Sequence, residues 1–118
     1  MKALICNEFG STKNLTLEEV KSPEPGAGQV LIDVHAAGIN FPDVLTVQGK
    51  YQFKPSLPFT PGIEVSGVIK KVGKDVKMRK VGDEVISTLQ TGAFASEVVT
   101  SENSCLLYTS DAADDLYR

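Results

Sequence analysis

The chain has 118 residues, with 12 Lys and Arg against 15 Asp and Glu, so its formal net charge is -3. The length suits one domain, and the acidic balance argues against a nucleic-acid binder, which needs a basic excess. Two cysteines are too few for a disulfide framework or a four-thiolate zinc site, and no apolar run reaches membrane-spanning length. We therefore expect a cytoplasmic domain with no nucleic-acid and no membrane partner.

Short strands separated by turns are predicted in the first half of the chain. Residues 2–6 and 15–20 form the first two strands, and a turn rich in Pro and Gly follows at 22–28. The clearest strand begins at Val30, because apolar residues alternate with polar ones up to Ala36. One face is predicted to carry Val30, Ile32, Val34 and Ala36, and the other Leu31, Asp33 and His35. This strand is therefore expected to be half-buried.

The second half continues the pattern after one short helix. Asn40 precedes a helix start because its side chain can accept hydrogen bonds from free N–H groups of the first turn. Further strands are predicted at 63–72, 83–89 and 94–100, with Gly62 and Gly67 at positions where a side chain would obstruct packing. Residues 101–118 show no strand alternation. The pattern predicts a mainly β fold, a barrel or sandwich with one or two short helices.

Few residues outside the segment around Asn40 indicate a catalytic or ligand-binding role. His35 is the only histidine and shares a strand face with Asp33, so a structural role at the surface is favoured over a metal ligand. Half of the basic residues fall between residues 70 and 80, which predicts a solvated turn and leaves a phosphate contact as the alternative. Gly26-Ala-Gly28 precedes a strand, so it lacks the strand–loop–helix order of a dinucleotide site.

Six short motifs stand in an order that resembles one family. They are Val34-His-Ala-Ala-Gly-Ile-Asn-Phe-Pro-Asp43, Gly49-Lys-Tyr51, Leu57-Pro58, Pro61-Gly-Ile-Glu-Val-Ser-Gly67, Val81-Gly-Asp-Glu-Val85 and Gly92-Ala-Phe-Ala-Ser-Glu97. Together they resemble the N-terminal, GroES-like catalytic domain of the medium-chain dehydrogenase/reductase superfamily, in its zinc-independent quinone oxidoreductase branch. The resemblance implies a partly open GroES-like β-barrel over residues 1–104.

Departures from the zinc alcohol dehydrogenases imply chemistry without a metal. Asn40 stands where those enzymes have a cysteine ligand, and Ile63 stands where they have a histidine ligand. Neither an amide nor an alkyl group replaces a thiolate or an imidazole around zinc. Pro42 stands in place of the proton-relay hydroxyl, and the cysteine-rich structural zinc lobe is missing between Leu89 and Phe94. The resemblance therefore implies hydride transfer from NADPH with no zinc.

The resemblance also implies a site and a substrate class. Asn40 and Tyr51 are expected to be catalytic, and Asn40 and Phe41 to contact the cofactor, whereas Asp43 and Glu64 are expected to support the wall by capping or ion pairing. The expected substrates are quinones or activated alkenes, in a full-length enzyme that is a homodimer. The alternatives are a 2-enoyl thioester reductase of the same superfamily and a free-standing GroES-like binding module.

The end of the chain does not resemble the family. Residues 105–115 can be back-translated into the transposase adaptor used to prepare sequencing libraries. We therefore expect a disordered, adaptor-derived tail after a truncated catalytic domain at residues 1–104. Because the family's cofactor domain is missing, the chain alone is expected to be inactive.

Overall fold

Strands dominate the architecture of this protein. The computed structural model describes residues 1–108. Its strands are β1 (Lys2–Cys6), β2 (Leu15–Glu19), β3 (Gln29–Ala37), β4 (Glu64–Val72), β5 (Glu84–Thr88), β6 (Glu97–Ser101) and β7 (Cys105–Leu107). One α-helix, α1 (Phe41–Gln48), and two 3₁₀ turns, Thr12–Asn14 and Glu102–Ser104, complete the described elements. The predicted mainly β fold is confirmed, and no helix among these residues is long and apolar enough to span a membrane.

The strands form two antiparallel sheets that are joined through loop backbone. β1 and β2 pair with each other, and the larger sheet has the order β6-β3-β4-β5-β7. The Leu4 N–H donates to Phe94 O at 2.9 Å, and the Ser96 N–H donates to Lys2 O at 2.8 Å. The segment before β6 therefore pairs with β1. For this reason β6 begins at Glu97, and the prediction of a strand from residue 94 is wrong at that end.

Strand β3, which lies between β6 and β4, is more deeply buried at its start than its sequence alternation predicts. Val30, Leu31 and Ile32 are all at most 1% exposed, so both faces of the strand are covered there. Leu31 shares a face with Asp33, as the alternation predicts, but it is buried, so the expectation of a half-buried strand is wrong at residues 30–32. The pairing with β4 shifts register between Leu31 and Ile32 because β4 has one extra residue there, Lys70, whereas the pairing of β3 with β6 stays regular.

The sheet also extends past the boundary predicted at Ser104. Cys105–Leu107 forms β7 on the outer side of β5, and the Cys105 side chain is 1% exposed. The expectation of disorder from Cys105 onward is thus wrong for residues 105–107, whose backbone continues the ladder. The rest of the predicted tail, residues 109–118, lies outside the described residues. The adaptor origin of the segment stays a prediction.

Helix α1 is held by a small apolar cluster of its own. Val47 is buried against Cys6 and Phe59, and Phe9 packs on this cluster with its ring 6.0 Å from that of Phe59. The helix ends at Gly49, whose φ of 73° is left-handed, and a Cβ there would lie 3.0 Å from the Phe9 ring. Residues near the N-terminus of the chain therefore fix the helix that follows Asn40.

Candidate functional site

The N-terminus of α1 is closed by Asn40 and Asp43. Asn40 has the extended backbone of an N-cap, as the sequence predicts, and Pro42 lies in the first turn. The Asn40 N–H donates to Asp43 Oδ2 at 2.7 Å, and Asp43 is 4% exposed. This bond confirms the expectation that Asp43 supports the wall by capping. The negative carboxylate also suits the positive end of the helix dipole.

Two polar atoms at this helix start lack partners within residues 1–108. They are Asn40 Nδ2 and Asp43 Oδ1, and both are buried. A buried polar atom without a hydrogen bond costs free energy, so such atoms are found mainly where a ligand or a water supplies the missing hydrogen bond. The Asn40 amide therefore has unused donor capacity at the position that the sequence marks as catalytic.

Large apolar side chains flank Asn40 on both sides in the sequence, and both face solvent. Ile39 is 81% exposed and Phe41 is 74% exposed. Exposed apolar groups of this size beside an amide with unused donor capacity are typical of a surface that contacts a ligand or another domain. Phe41 is thus available for the contact with a cofactor that the resemblance implies.

Tyr51 lies at the other end of the same helix. It follows the Gly49 C-cap and is half-buried. At 1.5 Å per residue, the eight residues of α1 separate the backbone of the two ends by about 12 Å. The structure therefore brings Asn40 and Phe41 together and leaves Tyr51 at a distance along the helix. The catalytic role of Tyr51 stays a prediction.

Glu64 lies close to the segment that leads to Asn40. A Cβ built on Gly38 would overlap Glu64 Oε1, with 2.0 Å between the two atoms, and the Gly38 N–H donates to Glu64 O at 3.2 Å. A side chain at position 38 would force the end of the Glu64 side chain to move, so the two residues are in close contact. The carboxylate borders an open depression of about 270 Å³, which is lined by Ala36, Gly38, Glu64, Val65, Ser66 and Ile86. Among residues 1–108 Glu64 takes part in no salt bridge, so the expected ion pairing is not seen, and its side chain packs beside Gly38 instead.

The other residues that the sequence singled out lie apart from this helix start. His35 Nε2 lies 3.6 Å from Asp33 Oδ2 and its side chain is 60% exposed, as a surface role predicts. Lys70 Nζ lies 2.7 Å from Glu97 Oε2, and this hydrogen bond, with one from Ser22, lowers the pKa of Glu97. The basic segment is therefore partly tied to the sheet by an ion pair.

Thiol chemistry and metal binding find little support in the described part of the chain. Burial raises the pKa of both Cys6 and Cys105, so both thiols stay protonated at neutral pH. No group of three or more His, Cys, Asp or Glu side chains within residues 1–108 is placed to hold a metal ion.

Comparison with known proteins identifies the class of domain. Residues 26–110 match the family described as the alcohol dehydrogenase GroES-like domain. The chain therefore belongs to this family, and the GroES-like fold that the motifs implied is confirmed. It is the N-terminal GroES-like domain of the medium-chain dehydrogenase/reductase superfamily.

The relatives place the chain more narrowly, near the quinone oxidoreductases. It is 41% identical over 103 residues to quinone oxidoreductase-like protein 2 of Mus musculus, covering 87% of this chain and 29% of the relative. The structure of human synaptic vesicle membrane protein VAT-1 homolog-like protein superposes with a TM-score of 0.90 at 33% identity, covering 94% of this chain and 36% of the other. The structure of Escherichia coli quinone oxidoreductase complexed with NADPH superposes with a TM-score of 0.89 at 28% identity, covering 94% of this chain and 34% of the other. The chain thus spans about a third of the length of these proteins.

Sequence reasoning missed one contact of the site and anticipated another. The contact between Gly38 and Glu64 joins residues that are 26 positions apart, so no local pattern signals it. The bond from Asn40 to Asp43 has a local signal, since an acidic residue three positions after an N-cap is typical of a capping box.

Proposed function

We propose that this chain supplies one wall of the active site of an NADPH-dependent, zinc-independent oxidoreductase that reduces quinones or activated alkenes. The observation that carries the proposal is the helix start at Asn40. There an amide with a buried, unpartnered Nδ2 lies between two exposed apolar side chains, Ile39 and Phe41. The names of the relatives support the quinone substrate class, and the NADPH complex of one structural neighbour supports the cofactor.

The described residues suit only the nicotinamide end of a dinucleotide. The Gly-rich segment at residues 26–28 leads into β3 and not into a helix, so it cannot cradle phosphates in the manner of a dinucleotide fold. Phe41 offers a flat apolar face, and Asn40 offers an amide, which together fit an aromatic ring with a polar substituent. The remaining two-thirds of such an enzyme would hold the rest of the cofactor.

NADPH supplies the hydride when it is bound, and the side chains of this chain would position the reactants. The Asn40 amide donates a hydrogen bond to the substrate oxygen, where negative charge accumulates as the carbonyl is reduced. Phe41 and Ile39 exclude water from that oxygen, which strengthens the hydrogen bond. The Tyr51 hydroxyl provides a second hydrogen-bond donor on the substrate side. Asp43 holds the Asn40 backbone in place.

The proposed zinc independence is supported by the residue types at the positions that carry zinc ligands in the alcohol dehydrogenases. Those positions hold Asn40 and Ile63, and an alkyl side chain offers zinc no ligand atom. We further propose that the full-length enzyme is a cytoplasmic homodimer. The 118-residue chain by itself is then without reductase activity, because one wall of a two-walled cleft cannot hold both reactants.

A chimaera tests the proposal. Residues 1–104 replace the matching region of Escherichia coli quinone oxidoreductase, and NADPH oxidation is followed with 1,4-benzoquinone, an enone and a 2-enoyl thioester. We expect turnover of the quinone or the enone, and a fall in kcat of about 100-fold for Asn40→Ser, which keeps an N-cap but loses the amide. Asn14→Ala, at an exposed asparagine of the first 3₁₀ turn, is the matched control and should leave kcat unchanged. An unchanged kcat in Asn40→Ser contradicts the proposed role, and turnover of the thioester alone favours the 2-enoyl reductase.

A further inference from the structure

Tyr51 belongs to a loop whose backbone is held at its two ends. This loop covers residues 50–58, between the end of α1 and Phe59. At its start, the Lys50 N–H donates to Leu45 O at 2.9 Å. At its end, the Phe59 N–H donates to Cys6 O at 3.1 Å, and the Cys6 N–H donates to Phe59 O at 2.8 Å. In the described part of the chain no hydrogen bond between backbone groups reaches residues 51–58. The position of Tyr51 therefore depends on what fixes the ends of the loop.

Phe9 lies directly against the end of the helix that precedes Tyr51. A Cβ at Gly49 would lie 3.0 Å from Phe9 Cγ, and the three atoms nearest to it all belong to Phe9. The next residue, Gly10, donates its N–H to Val47 O at 2.9 Å, so it satisfies a carbonyl of the last helical turn. Because Tyr51 follows Gly49 by two residues, the two Cα atoms lie within about 7 Å of each other. A shift of the helix end is therefore passed on to Tyr51.

The segment of residues 6–10 thus contacts both ends of the loop. The Phe9 ring packs on the buried cluster around Phe59, with 6.0 Å between the two ring centroids. Loss of the ring would leave a void between the helix end and the loop end, into which both can shift. Leu15 packs on the same cluster, but the close contact with Gly49 belongs to Phe9. A change at Leu15 therefore disturbs the cluster without removing the support of the helix end.

We propose that Phe9 is a positioning residue for Tyr51: its ring fixes the end of α1 and the following loop, so that the Tyr51 hydroxyl reaches the substrate oxygen. This inference rests on the proposed function, in which that hydroxyl donates a hydrogen bond to the substrate. A donor contributes only when it is held in place, because a misplacement of about 1 Å can cost about 100-fold in rate. Asn40 lies at the opposite end of α1, so the ring of Phe9 acts on Tyr51 and not on Asn40.

Fluorine NMR of the 118-residue chain tests the positioning itself. The chain is labelled with 3-fluorotyrosine, and the signal that Tyr51→Phe removes is assigned to Tyr51. We expect Phe9→Leu, which loses the ring, to shift or broaden this signal. Leu15→Ala is the matched control and should leave the signal unchanged. Phe9→Met, which keeps more of the volume, takes the place of Phe9→Leu if that variant does not fold. An unchanged Tyr51 signal in the Phe9 variant, or an equal change in Leu15→Ala, overturns the proposal.

Kinetics of the chimaera test the consequence for the reaction. Phe9→Leu should lower kcat for the quinone about tenfold and leave KM for NADPH unchanged, whereas Phe9→Tyr, which keeps the ring, and Leu15→Ala should retain kcat. In a Tyr51→Phe background, Phe9→Leu should lower kcat little further, because the residue through which it acts has lost its hydroxyl. A full tenfold fall in that background overturns the proposal. A chimaera without any turnover refutes the proposed function instead, and the fluorine signal then decides whether Phe9 positions Tyr51.

Discussion

Replacing Gly67 by alanine should strongly destabilise the sheet that leads to Asn40. A Cβ at position 67 would lie 2.0 Å from Asp33 O and 3.0 Å from Ile32 Cγ2. Ordinary contacts begin at 3.4 Å, so the backbones of β3 and β4 would have to separate by about 1.4 Å at the first contact. Neither strand can move freely, because β3 lies between β4 and β6 in the larger sheet.

The size of the effect follows from this crowding. Overpacking a core costs about 1–3 kcal/mol, and a clash with backbone is at the upper end because no side chain can rotate away. We expect Gly67→Ala to lower the free energy of unfolding by about 3 kcal/mol or more. The total free energy of unfolding of a small domain is only about 5–15 kcal/mol. The corresponding fall in Tm is more than about 10 °C.

Urea unfolding followed by far-ultraviolet circular dichroism at 25 °C measures this difference. The matched control is Gly26→Ala, where a Cβ meets only the flexible end of Gln29, 3.2 Å away, and the expected change is below about 0.5 kcal/mol. If the unfolding midpoint and slope of Gly67→Ala equal those of wild type, the close approach of β3 and β4 is not a constraint and the reasoning is wrong.

Two further predictions concern carboxylates. Asp43→Ala leaves the Asn40 N–H without its acceptor and should lower the free energy of unfolding, measured with urea, by about 1–3 kcal/mol. The control is Asp83→Ala, which removes the acceptor of the exposed Lys80 N–H and should lower the free energy of unfolding by less. Equal losses in the two variants would contradict this role of Asp43. The pKa of Glu97 is lowered chiefly by the hydrogen bond from Lys70, so the native state favours the charged form. The charged carboxylate of Glu97 therefore stabilises the native state above its ordinary pKa of 4.5, and this contribution is lost as pH falls through the lower native pKa. In a plot of the urea unfolding midpoint against pH, Glu97→Gln should reduce the fall of the midpoint at acid pH. An unchanged fall in this variant would exclude the Lys70–Glu97 ion pair as its cause.

Local sequence patterns predict much of the fold, because each pattern depends on residues that are close together in the sequence. The turns at Pro and Gly, the N-cap at Asn40 and the glycine at position 67 follow from backbone sterics and capping chemistry. The ordered motifs identified the family, and the comparisons confirmed it. Asn40 and Phe41 lie together at the helix start because they are neighbours in the sequence.

The tertiary structure decided the features that depend on residues distant in sequence. Leu31 is buried because neighbouring parts of the fold cover both faces of β3, which alternation cannot reveal. The packing of Glu64 against Gly38 and the hydrogen bond from Arg79 to the Cys105 carbonyl depend on how the chain turns back on itself. Sequence alone determined which local elements form and which chemistry position 40 can offer. Packing between elements determined which side chains meet, because burial and hydrogen bonding are decided by neighbours that the chain brings together only on folding.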